Sequence, residues 1–576
     1  PSAGLDPTLD QDTVHHSLDD MELAQAVQML DYLEPWESEA LANLTLFAAS
    51  MPTAAALEVT ATVQHPQAPW PVDLLERLIR LNLLCHVPGA HASRLSLNPS
   101  VYDALDERFA PTQLARQRHA SWYAEFASEF PASRFDEVDA KKLLWVVQQE
   151  QSNLAVAINN GTSAQALECG LLMLRVHLVY GPASAVEPLA EDLISRVPCT
   201  LLELWQFVVI TCEAAAGQAT FDKVLPLMHE MFAAVLEQQN GLQHRALRPW
   251  PHLDGAAAGD TAVTMAKLVK LAGKLVRVLR ASNQPKAERL LAESTVVLAR
   301  YGCNRVEMQA TEQVLDLGYL VAERNNLSDI CGYLLSLRGK YEHMNGNLQS
   351  AAQAHRSAVQ LHDTNGNSNG AQRARYRLGL LLNSMGELEQ AKTNLRESLK
   401  LAQRMARPDL TAYSMFGVAF CSFYEGAYDT ATRQFREVAE RFVQIGNPNG
   451  YFVALYNATC SLVDAEHYDD ALQVAESITN TEMQTRYPGL YAASLTLRTW
   501  LRVLLDRPDN VDAHLQSSGP FLKSVPDQYC LYLCRRGEVN LMRSRRKDAL
   551  IDLATLKALL AEHQLQERRT LQVVER

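Results

Sequence analysis

Gly366, Asn367, Ser368, Asn369 and Gly370 spell Gly-x-Ser-x-Gly, the spacing of the nucleophile elbow in serine hydrolases. That elbow needs a strand before the serine, so that its hydroxyl projects above a sheet. Here SAVQLHDTN (357 to 365) continues one helical pattern and RARYRLG (373 to 379) begins another, so the segment reads as a polar turn between helices. Ten cysteines are scattered singly, and Cys530 and Cys534 have three residues between them where zinc and redox motifs use two. No histidine stands at a recognised ligand spacing from a carboxylate or cysteine, and His15 and His16 are neighbours in a polar tail. A phosphate loop is missing from the sequence too: LAGKLVRV (271 to 278) lacks its first glycine and its hydroxyl. The expectation is a chain with no catalytic residues, no metal ligands and no cofactor, which is not an enzyme and does not bind ATP by itself.

Charge gives two further candidates. MAKLVKLAGKLVRVLR (265 to 280) puts Lys267, Lys270, Lys274 and Arg277 on one helical face, with Leu268, Leu271, Leu275 and Leu279 opposite. Arg535, Arg536, Arg543, Arg545, Arg546 and Lys547 form a second basic cluster. A solvated outer helix face explains either as well as an anionic partner does. The formal net charge of −13 argues against a surface that tracks nucleic acid or an anionic membrane.

Recognition remains, and it depends on the elements that carry it. MNGNLQSA (344 to 351), SMGELEQA (384 to 391), YEGAYDTA (424 to 431) and AEHYDDA (465 to 471) align without adjustment, their last alanines 40 residues apart. Gly346, Gly386 and Gly426 share the phase, with Glu466 in the fourth copy, and Gly339 and Gly379 precede the first two by seven positions. Small residues there let antiparallel helices cross closely, and the second glycine ends a helix in the left-handed conformation. The pattern resembles the tetratricopeptide repeat with about a turn or less added to each helix. Weaker copies follow near Val511 and Ala549. SNQPKAERLLAES (282 to 294) starts another helix, and two helices near 305 to 324 and 327 to 345 are expected to break the alternation.

In such a solenoid the first helix of each pair lines the concave side, and residues two, five, nine and twelve of a repeat point inward. That register selects Tyr333, Lys340, His343, Arg373, Tyr376, Asn383, Tyr413, Phe416 and Tyr456 as partner-binding residues, with Phe420 and Phe423 in the same stripe. Aromatics and arginine are enriched at binding hot spots. Core packing explains the phenylalanine stripe equally well.

Ahead of the repeats, a helix starts at Ser17 and another at Pro35. WPVDLLERLIRLNLLCHV (70 to 87) is an amphipathic helix ending in a strand, and VPGAHASRLSLN (87 to 98) reads as a hairpin. Three helices and a two-stranded wing make a winged helix. The order ALANLTLFAAS, LLERLIRLNLL, RLSLNPSVYDALDERF, RQRHASWYAEFASEF, LLWVVQQEQSNLAVAINNG resembles the segment after the nucleotide-binding domain in bacterial signal-transduction ATPases with numerous domains. The resemblance covers roughly residues 17 to 200 by segment order and the remainder by repeat type.

It implies a winged helix that makes a regulatory contact and repeats that sense an activating ligand or partner. An ATPase domain would then be lost, lie upstream of Pro1 or sit on another chain. DNA reading by the winged helix finds little support, since Arg77 and Arg80 are its recognition helix's only basic residues, set against Glu76.

The expected class is all-α: a tail over 1–14, a winged helix over 15–110, a helical linker or early repeat region over 111–240, a loop over 241–260, and a solenoid over 261–576. Single cysteines and the absence of an 18-residue apolar run point to a cytoplasmic chain with no membrane contact. The function implied is a non-catalytic sensor or scaffold module that binds a protein or peptide. The alternative is a stand-alone adaptor or inhibitor that holds a partner enzyme inactive.

Overall fold

The computed structural model describes residues 28, 30–48, 50–87, 93–106, 110–130, 140–181, 185–217, 224–239, 264–305, 307–523 and 526–563. They divide into two compact units, the first running to the helix Leu201–Gly217 and the second starting with the helix Val224–Gln239. The expected tail over 1–14, most of the helix from Ser17, the Pro-Gly turn after Val87 and the loop over 241–260 lie outside the described residues.

The first unit opens with α1 (Pro35–Leu44), β1 (Met51–Pro52), α2 (Thr53–Thr60), α3 (Pro71–Arg80), β2 (Leu84–His86) and β3 (Arg94–Leu97). Pro35 stands in the first turn of α1, where Glu34 and Glu37 form a capping box. The strands make an antiparallel sheet in the order β1-β3-β2, with Met51 opposite Leu95 and Leu84 opposite Leu97. The hairpin strands match the sequence reading. The strand β1 and the helix α2 were not anticipated, because TAAALEVT is short and carries neither a strong cap nor a clear period.

Six helices complete this unit: α4 (Pro99–Asp106), α5 (Gln113–Ser128), α6 (Ala140–Asn160), α7 (Ser163–Tyr180), α8 (Val186–Arg196) and α9 (Leu201–Gly217). Leu41, Phe47, Met51, Leu78 and Leu95 share one core with Tyr123, Leu154 and Leu172. Inside it, Arg94 of β3 donates to Ser50 Oγ at 2.9 Å and to the Ser50 carbonyl at 2.8 Å, and pairs with Glu150 of α6. Tyr123 Oη donates to Glu150 at 2.6 Å and Asn153 Nδ2 at 2.9 Å, so the buried carboxylate is satisfied from three sides.

The second unit is built of tetratricopeptide-like helix pairs. After α10 (Val224–Gln239) and α11 (Met265–Ser282) come α12 (Pro285–Arg305), α13 (Met308–Arg324), α14 (Ser328–Met344), α15 (Leu348–Thr364), α16 (Ser368–Met385), α17 (Leu388–Arg404), α18 (Pro408–Tyr424), α19 (Tyr428–Gln444) and α20 (Pro448–Asp464). The remainder are α21 (Tyr468–Ile478), α22 (Thr481–Arg486), α23 (Pro488–Leu504), α24 (Val511–Leu522), α25 (Pro526–Met542) and α26 (Arg546–His563).

From Met308 to Tyr468 each helix begins 20 residues after the one before. The turns repeat at the same interval: Asn326, Gly346, Gly366, Gly386, Ala406, Gly426, Gly446 and Glu466 all have positive φ. The 40-residue period is thus two equal half-steps. Because α12 packs on α14, α14 on α16 and α16 on α18, the helices near 305 to 324 and 327 to 345 continue the alternation they were expected to break.

The small residues work as their spacing implied. Ala351, Ala391, Ala431 and Ala471 are wholly buried. A Cβ on Gly379 would lie 2.4 Å from Leu395 Cγ, and one on Gly339 would lie 2.7 Å from the His355 ring. Leucine and histidine side chains take the space that the glycines leave.

Candidate binding groove

Each inner-layer helix offers the next a face of half-buried polar and aromatic side chains. Arg300 stands on α12, Tyr333 and Lys340 on α14, and Arg373, Tyr376 and Arg377 on α16, all half-buried, and Tyr413 on α18 is exposed. Arg373 and Arg377 are one helical turn apart and therefore share a face. Arg377 donates to Ser336 Oγ at 2.9 Å, Arg373 Nε to Asn369 Oδ1 at 3.2 Å, and Lys340 to Asn304. All three acceptors are neutral oxygens. Among the described residues no carboxylate lies within ion-pair distance of these three cations; the nearby Asp409 is paired with Arg407 at 2.7 Å.

The electrostatics follow from that crowding. Burial lowers Lys340 to about 8, with the Arg377 charge adding to the effect. Arg377 falls to about 10 through burial and then through Arg300 and Arg373. Arg373 is lowered by burial and by Arg300 and Arg407, against an opposing pull from Asp409. Beside the cations, the Tyr376 and Tyr413 rings are 6.2 Å apart, and Tyr413 packs on Phe442 at 5.1 Å. Asn447 Nδ2 donates to Tyr413 Oη at 3.0 Å while its own oxygen accepts from the Gly450 amide, which fixes that edge.

The remaining expected partner residues are placed differently. Asn383 is buried to 1 % exposure against Cys421, and Phe416 is packed against Phe420 and Phe435, so neither is on the open face. Asn383 faces the next inner helix, α18, and Phe416 faces α19, the partner helix of its own pair. Phe423 is core as well, while His343 is exposed. Tyr456 lines a separate hollow with Cys460, Asp464, Leu497, Tyr532 and Arg535. Arg377 was missed because its position in the repeat varies from Leu337 through Arg377 to Gly417, and a register cannot flag a charge at a site that is otherwise apolar or small; Arg300 stands 40 residues before Lys340, in a copy to which the register was not applied.

Other sequence candidates resolve into ordinary structure. Ser368 of Gly-x-Ser-x-Gly begins α16 after a turn at Gly366, and no strand precedes it. Lys267, Lys270, Lys274 and Arg277 are exposed, opposite buried Leu268, Leu275 and Leu279. In the second basic cluster Arg536 pairs with Asp552, Arg543 and Arg545 with Asp512, and Arg535 lies 4.0 Å over the Trp500 ring. On α3, Arg77 pairs with buried Glu37, and Arg80 with Glu76 at 3.1 Å. Among the described residues no three His, Cys, Asp or Glu side chains are grouped to hold a metal, and no helix is long and apolar enough to cross a membrane.

Fold and groove together define a helical-repeat protein with a basic, aromatic-edged inner surface. No known protein family matches the sequence, and no curated relative does. The chain is similar to a signal-transduction ATPase with numerous domains from Pyrococcus horikoshii that carries a tetratricopeptide repeat sensor, at 15% identity and a TM-score of 0.42 over 87% of this chain. It spans 66% of that protein, just under two thirds of its length. It is also similar to a Rap protein solved with Competence and Sporulation Factor, at 11% identity and a TM-score of 0.49, over 70% of this chain and 99% of the other. A third is the apo quorum sensor NprR from B. thuringiensis, at 12% identity and a TM-score of 0.41, over 69% and 99%.

Proposed function

We propose that this chain is a non-catalytic sensor or scaffold module that binds a peptide or protein segment along the inner face of α14, α16 and α18. The observation that carries it is the row of Tyr333, Lys340, Arg373, Tyr376 and Arg377, half-buried, with the exposed Tyr413, all polar or aromatic and held on helices. Side chains already ordered lose little entropy on binding.

In this reading residues 35–97 form a winged helix that serves packing and regulation. Its helix order and small sheet support the assignment, and Arg77, Arg80 and Arg94 are each engaged by a carboxylate of the same unit, which leaves little for phosphate. The module works in the cytoplasm, and an ATPase domain would act from upstream or from a separate chain. No cofactor takes part.

The test pairs affinity with melting. Tyr376→Ala and Tyr413→Ala are each expected to weaken the partner by about 1 to 3 kcal/mol at hot-spot positions. Ala431→Leu, at a buried crossing, is expected to cost about 1 to 3 kcal/mol of stability by overpacking. Tyrosine variants that melt and bind like the parent would move the interface off the inner face.

A further inference from the structure

The chemistry of the groove narrows its occupant, an inference that rests on the inner face being the binding surface. Arg377 occupies a repeat position where the preceding copy has buried Leu337 and the following one Gly417. Packing at that position is served by a small or apolar residue, so a guanidinium there has no structural role that the neighbouring repeats share. It lies one turn from Arg373, with Lys340 on the preceding inner helix. Helices in contact are about 8 to 10 Å apart, so Lys340, Arg373 and Arg377 occupy a patch roughly 10 Å across. Like charges this close oppose each other, and the hydrogen bonds of Arg373, Arg377 and Lys340 go to the neutral Asn369, Ser336 and Asn304; Asp409 offsets part of the Arg373 charge but is itself paired with Arg407. The whole chain carries −13, which makes the local excess of positive charge more selective.

We propose that this groove selects an acidic peptide segment, one or two of whose carboxylates lie against Arg373, Arg377 and Lys340 while a neighbouring side chain rests on the Tyr376 and Tyr413 rings. Guanidinium forks match carboxylates in two-pronged hydrogen bonds, and here the partly buried setting strengthens them. Nucleic acid fits less well. A duplex presents a charge about every 1.7 Å and needs a long basic track, whereas this patch is short and sits in an acidic molecule. The lowered Lys340 and Arg377 values agree with sites that await an anion, since a bound carboxylate would favour their charged forms.

The experiment uses the full chain and fluorescein-labelled heptapeptides that carry two Asp or Glu residues beside one aromatic residue. Their Asn and Gln counterparts and a labelled single-stranded oligonucleotide serve as controls, read by anisotropy. Acidic members are expected to bind at least about tenfold more tightly than their amide counterparts and to weaken as salt rises. Arg373→Gln and Arg377→Gln are each expected to weaken them by at least about tenfold, with a melting temperature equal to or above the parent's, because removing one cation relieves repulsion. Equal binding of acid and amide peptides, lost in Tyr376→Ala, would overturn the acidic selection and leave the inner-face reading intact. Peptide binding untouched by every inner-face variant would overturn both. Binding of the oligonucleotide in place of peptides, or of no probe at all, would overturn the acidic-peptide assignment.

Discussion

Leu395 of α17 lies between two glycines of successive inner helices. A Cβ on Gly379 would lie 2.4 Å from its Cγ, and one on Gly417 would lie 2.4 Å from its Cδ2. Leu395 is fully buried, so Leu395→Ala is expected to cost about 3 to 5 kcal/mol through lost transfer energy and a residual cavity. In the parent, Gly379→Ala forces the leucine off its rotamer or shifts α17, at about 1 to 3 kcal/mol. A gain of up to about 1 kcal/mol from helix propensity offsets part of that.

In the Leu395→Ala background the obstruction is gone, and Gly379→Ala should change sign and stabilise by about 1 kcal/mol. The coupling between the two changes is then about 1 to 3 kcal/mol. Denaturant titration of the four proteins measures it. Amide exchange of α16, α17 and α18 should accompany the titration, because a repeat array can unfold in parts. Additivity within about 0.5 kcal/mol would refute the claim that the glycine makes room for this side chain.

Burial holds His355 at about 3 and His362 at about 4, below the usual 6.5, and both rings are neutral in the fold. Stability is therefore complete above about pH 6.5 and is lost as pH falls towards 4, on the order of 3 kcal/mol for each ring, and a melting temperature flat from pH 7 to 4 would contradict it. Ala406 has φ of 49° where its half-step neighbours Gly386 and Gly426 are glycines, so Ala406→Gly should stabilise by about 0.5 to 1 kcal/mol in denaturant titration. Arg94→Met leaves the Glu150 carboxylate buried without its cation, and thermal melting should show a loss of about 3 to 5 kcal/mol confined to the first unit.

The full period was legible because glycine is the easiest residue to place at positive φ, and Gly346, Gly386 and Gly426 mark alternate turns. The half-step was hidden, because its own series, Asn326, Gly366, Ala406 and Gly446, is broken by Asn326 and Ala406, which accept the same conformation. The pair α12 and α13 escaped for a similar reason: Thr311 stands where later repeats have Ala351 and Ala391, and the small residue aligned with Gly339 is Ala299. Tyr333, Lys340, Arg373, Tyr376 and Tyr413, chosen by a simple register, are at least partly exposed on α14, α16 and α18. Asn383 and Phe416 show its limit, since an inner helix must also pack on the next inner helix, as Asn383 does on Cys421, and on its own pair, as Phe416 does on Phe435. The contact between Arg94 and Glu150 joins residues 56 positions apart and has no periodic trace.

The most direct test of the inner-face account is photo-crosslinking of the full chain in its native cell, with a benzophenone amino acid at Tyr376 or at Val443, which is 60% exposed on α19. The account predicts a discrete covalent adduct from position 376, lost in the Arg377→Gln background, and none from position 443. An adduct from 443 with none from 376 would contradict it.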